Sequence, residues 1–79
     1  MLLHEADTIK KIEDVIDSLR QGFTIDGGDI TFVKYEQGVV FIHMVGSYIG
    51  YPSDQKATLE MIEREIKIVV SDIERVECV

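Results

Sequence analysis

Two tyrosines three residues apart, Tyr48 and Tyr51, stand in the stretch "GSYIGYPSD" (Gly46 to Asp54), which leads into a run with helical spacing. Loops of this kind present side chains to ligands and partners. Tyrosine has an ordinary pKa of about 10 and is a hard oxygen donor. No base or nucleophile is spaced to turn either ring into a catalyst. Three readings are open for the pair: phenolate ligation of a metal, rigid anchors that form a partner-binding patch with Ile49, or rings folded back beside the following helix.

The other candidates stand alone. Cys78 is the single cysteine. It forms no disulfide within the chain, so the expected setting is a reducing compartment, cytoplasmic or organellar. In Val76-Glu77-Cys78 it shares a strand face with Val76, which makes it a small buried hydrophobe before it is a ligand. "DGGD" (Asp26 to Asp29) has neither the ligand spacing of a calcium loop nor the lysine of a phosphate loop, and reads as a turn. His4 and His43 are isolated, and His43, inside a strand, is taken as structural. Glu60, Glu63 and Glu65 fall on or near the exposed face of a helix, where they are solvated. With no nucleophile–base pair, metal triad or nucleotide fingerprint, an enzyme is not expected.

The chain has 79 residues, enough for one small domain over 1–79. Its net charge of −7 opposes nucleic acid and anionic membranes, because both are bound through lysine and arginine. The opening "MLLHEAD" lacks the apolar core of a secretory signal, and no run approaches the roughly 20 apolar residues of a membrane span. The chain therefore reads as soluble.

The elements that must position these residues follow from periodicity. Ile9, Ile12, Val15, Ile16 and Leu19 line one face of a first helix, capped by Asp7 or Thr8. Arg20 suits its last turn, and Gly22 offers a left-handed stop. "DGGD" then turns the chain into two β-rich runs, "ITFVKY" and "VVFIHMV", joined through "EQG" (Glu36 to Gly38) as a hairpin with a bulge. Both runs are apolar on both faces, so helices should cover one side and something should partly cover the other. A second helix is expected from about Asp54 to Val70, with Ser53 as N-cap and Leu59, Ile62, Ile66 and Val69 as its buried stripe. "IERVECV" (Ile73 to Val79) reads as a third strand. The order is α-β-β-α-β, an α+β two-layer sandwich with a small three-stranded sheet and two helices on one face. The favoured sheet places the first strand between the other two, all antiparallel, with a right-handed crossover.

Taken in order, "IEDVIDSLRQGF", "DGGDI", "GVVFIHMVGS", "GYPS", "IEREI" and "IERVECV" resemble the NifU C-terminal domain, a module of iron–sulfur cluster assembly. The resemblance covers nearly the whole chain. In that family the loop before the second helix reads like Gly-Ala-Cys-x-Gly-Cys-Pro-Ser, and its two thiolates hold a cluster, commonly shared between two protomers. Gly46, Gly50, Pro52 and Ser53 match that pattern and shape the loop, whereas Tyr48 and Tyr51 fall on both cysteine positions.

A thiolate is soft, and a helix N-terminus lowers its pKa. A phenol is hard, bulky and far less acidic. The resemblance thus implies iron–sulfur assembly or recipient proteins as partners, with a homodimer in view. The substitutions imply an accessory or docking module with no cofactor of its own. Two alternatives remain: a carrier of iron or a cluster through an altered site such as Cys78 in an oligomer, or a substituted variant of a cluster-binding parent.

Overall fold

Helix α1 runs over Leu2–Ile25, longer at both ends than the apolar stripe alone implies. The structure, a computed structural model, describes residues 2–25, 27–46 and 52–79, with side chains described outside 2–5 and 52–54. Gly22 does not end the helix as expected. A glycine inside a helix costs about 1 kcal/mol. One residue on, Phe23 is buried in the core, which stabilises by roughly 1.5–3 kcal/mol and carries the helix through. The stop comes at Gly27, which takes a φ of 84°. Its N–H donates to Thr24 O (3.1 Å) and that of Gly28 to Phe23 O (2.8 Å), the paired bonds of a Schellman cap. Arg20 consequently lies inside the helix and not in its last turn.

Strands β1 (Asp29–Glu36) and β2 (Val39–Val45) form an antiparallel hairpin. Its loop has two residues where three were expected, since Glu36 already pairs with Val39. Gln37 and Gly38 have φ of 51° and 84°, the left-handed pair that a type I′ turn requires. The bulge lies within β1, where the register shifts between Phe32 and Lys34. Strict alternation after Phe32 would turn Lys34 inward. The extra residue instead lets Tyr35 pack on the core, while Lys34 reaches outward with Nζ 4.9 Å from the Phe41 ring centroid.

Helix α2 spans Pro52–Val69 and β3 spans Arg75–Cys78. The helix begins at Pro52, so Ser53 lies in its first turn and not at the N-cap. Proline suits the first helical position because its φ is preset and the N–H it lacks would have no partner there. The inward stripe ends on Val70, which is buried, and not on Val69, which is 44% exposed. Val70 N–H still bonds Ile66 O at 2.8 Å, and the chain then turns back beneath the helix to the buried Ile73.

The sheet order is β1-β2-β3, with β3 parallel to β2. This corrects the expectation that β1 would lie between the others in an all-antiparallel sheet. β2 is the strand that can be central, because Val39, Val40, Ile42 and Met44 are all buried. β1 carries the bulge and two charged residues at its end, features of an edge. A parallel neighbour needs a crossover, and α2 supplies it. The result is an α+β two-layer sandwich: α1 packs on β1 and on α2, and α2 on β3. Its core unites Ile12, Ile16 and Phe23 of α1 with Ile30, Val40, Ile42 and Met44 of the sheet and Ile62 and Ile66 of α2. The other sheet face is partly covered by charged side chains, among them Arg75, paired with Glu77 at 2.6 Å. Among the described residues, no helix is long and apolar enough to cross a membrane.

Candidate functional site

The candidate site lies where β2 hands the chain to α2. Gly46, just past the end of β2, has a φ of 109° that favours glycine. A Cβ there would fall 2.6 Å from Gly28 Cα and 3.3 Å from Gly27 O. The exit from β2 therefore crosses the α1–β1 turn backbone against backbone. Pro52, in the first turn of α2, forms the far side, and the positive end of that helix dipole faces the connection. Tyr48, Ile49, Gly50 and Tyr51, which carry the ligand, patch and filler readings, lie outside the described residues. The side chains of Pro52 and Ser53 lie outside them too.

The α1–β1 turn is fastened by an ion pair that sequence reading missed. Arg20 Nε and Nη2 donate to Asp29 Oδ1 and Oδ2 at 2.8 and 2.9 Å, and Ile30 N–H also donates to Oδ1 at 2.8 Å. These bonds, the arginine's first, hold the Asp29 carboxyl below the usual carboxylate range, and Asp29 in turn raises Arg20. Both oxygens of Asp29 accept from these donors. The only available signal was an arginine on the helix before "DGGD", and nine residues separate the partners.

Cys78 is half-buried and packs against the core from β3. It pairs with Ile42 on the helix side of the sheet, four residues before Gly46. At about 3.3 Å per residue, that sets it roughly 13 Å from the loop entrance. His43 points to the opposite face, with Nδ1 2.8 Å from the main-chain oxygen of Val79. That oxygen can only accept, so Nδ1 carries the proton and the ring has a structural partner. Glu63 pairs with Lys67 at 3.2 Å, and Glu60 is exposed. The side chain of His4 lies outside the described residues. A cleft of about 250 Å³ between α1 and β1 is lined by Lys10, Asp14, Asp17, Arg20, Thr31 and Phe32. Lys10 and Asp14 pair with each other along its α1 wall at 3.1 Å, and Arg20 pairs with Asp29. Among the described residues, no three His, Cys, Asp or Glu side chains gather as a metal would need.

A family model and several curated relatives match the chain in sequence. The family model described as "NifU-like domain" matches residues 12–77. The chain is 31% identical over 78 residues to the "NFU1 iron-sulfur cluster scaffold homolog, mitochondrial" of Drosophila grimshawi, covering 98% of this chain and 26% of that protein. It is 32% identical over 72 residues to the protein of the same name from Drosophila persimilis, covering 90% and 26%. The chain thus spans about a quarter of the length of the curated relatives it matches. Because the family model matches most of the chain, from within α1 through the glycine turn, the hairpin and α2 into β3, the chain belongs to the NifU-like domain family.

Proposed function

We propose that this domain serves iron–sulfur cluster assembly as an accessory or docking module and does not itself hold a thiolate-ligated cluster. Family membership and the scaffold function named for its relatives support the process. One observation carries the restriction: the chain has a single thiol, Cys78, and by resemblance both ligand positions of the loop are tyrosines, Tyr48 and Tyr51. A cluster held by four thiolates needs four soft donors. Two copies of this chain would bring only two, each packed against the core on β3 and distant from the loop. The donor set does not fit the group.

In this reading Tyr48, Ile49 and Tyr51 contact assembly or recipient proteins, and a homodimer remains compatible with the fold. The compartment is a reducing one, and the mitochondrial relatives favour an organelle.

The test is anaerobic reconstitution with iron and sulfide, followed by desalting. The protein should emerge colourless, without bound sulfide. A stable brown holoprotein would overturn the proposal. The competing reading, a carrier using Cys78, requires Cys78→Ala to abolish iron retention; the variant should instead match the parent.

A further inference from the structure

Three contacts meet where the chain leaves β2, and two of them, Arg20 on Asp29 and Gly46 on Gly28, follow from no local sequence pattern. Arg20 grips Asp29 with two hydrogen bonds, at 2.8 and 2.9 Å. The amides of Gly27 and Gly28 bond back into the last turn of α1. Gly46 then lies on Gly28 so closely that a Cβ would meet backbone at 2.6 Å. Because the obstacle is backbone, no rotamer change relieves it.

We propose that Arg20, Asp29 and Gly46 are positioning residues of the candidate site: they form a seat that fixes the point and direction in which the chain leaves β2. The proposal rests on reading the β2–α2 connection as the recognition loop. The ion pairs themselves point this way. Among the described residues, the pairs of Lys10, Lys34, Lys67 and Arg75 stay within one element or its immediate flank. Of the ion pairs among the described residues, Arg20–Asp29 is the one that joins two elements. Arg20 sits on α1 between Leu19, which packs on the core, and Phe23, which is part of it. A rigid path thus runs from the core through Arg20, Asp29 and Gly28 to Gly46. A bidentate guanidinium–carboxylate pair fixes orientation as well as distance, which a single surface contact does not.

The seat is tested by comparing Arg20→Gln and Asp29→Asn with Ile62→Val, a core change remote from the seat, using amide NMR. Arg20→Gln and Asp29→Asn should shift the resonances of Val45 and Gly46. Ile62→Val should leave them in place even if it lowers the melting temperature as much. Unmoved Val45 and Gly46 amides in both seat variants would overturn the proposal. Gly46→Ala is a harsher version, and the two polar variants decide the matter should it fail to fold.

A second arm adds Asp29→Asn to a variant carrying Tyr48→Cys with Tyr51→Cys, reconstituted with iron and sulfide. Loss of iron to a chelator should become roughly 10-fold faster, as when an outer support of a metal ligand is removed. Unchanged loss would show a seat with no bearing on the site, and would overturn the positioning role. If the double cysteine variant takes up no cluster at all, the reading of the loop fails, while the NMR arm still decides the seat.

Discussion

Ile62 is fully buried on α2, whereas Val69, two turns further on, is 44% exposed. Their chemistry is similar, so their difference in burial should dominate the effect of truncation. Ile62→Ala is expected to cost about 2–5 kcal/mol, from lost transfer free energy and the cavity left behind. Val69→Ala should stay within roughly 0.5 kcal/mol, as surface changes do. A domain of this size has a total stability of only about 4–12 kcal/mol, so the first variant should unfold at a much lower urea midpoint. Equal losses would show that the buried stripe runs through Val69 after all. Helical periodicity located Leu59, Ile62 and Ile66 but wrongly continued the stripe to Val69, where the buried residue is Val70. The segment after the helix decides, because it leads to Ile73 in the core and draws Val70 under.

At the scale of elements, the junction of α1 with β1 should be the acid-sensitive part of the fold. Asp29 is held below its ordinary range, first by Arg20 and then by the Ile30 N–H. A carboxyl depressed in the native state adds stability that is complete above its unfolded pKa of about 3.9. That contribution is lost as the pH falls through the lower native value. The difference in melting temperature between the parent and Asp29→Asn should therefore be constant from about pH 8 to pH 5, then shrink below about pH 4. It should also weaken in high salt, since both partners are partly exposed. A difference that persists into strong acid would assign the effect to shape and not to charge. Here the sequence was informative in part. "DGGD" marked a turn, but nothing local showed that its last aspartate reaches back to Arg20 or that its second glycine touches Gly46.

For the whole molecule, the question is whether the fold could still present a cluster if the donors returned. The NifU-like family model matches residues 12–77, and the described fold runs from the Schellman-capped α1 to the parallel β2–β3 pair. If the tyrosines are substitutions on a competent frame, Tyr48→Cys with Tyr51→Cys should yield a brown protein after reconstitution. Two copies would then pool four loop thiols, so colour should accompany a dimer in gel filtration. The far-ultraviolet circular dichroism should not change. A colourless, monomeric and folded product would mean that the loss reaches beyond the two side chains. The net charge of −7 works against pairing at low salt, so the dimer should form more readily as ionic strength rises.

Local pattern along the chain located the helices and strands, because a period of 3.6, enrichment in β-branched and aromatic residues, and the glycines of "DGGD" and "EQG" are all local properties. The sequence by itself also showed that one chain offers a single thiol. Tertiary structure decided the rest: that β2 and not β1 is central, that a bulge turns Tyr35 inward in place of Lys34, and that α1 continues through Gly22 to bury Phe23. It also brought Arg20 to Asp29 and Gly46 onto Gly28. Each of these outcomes depends on contacts between residues distant along the chain. Their free energies outweigh local preferences of about 1 kcal/mol, and no pattern read along the chain registers them.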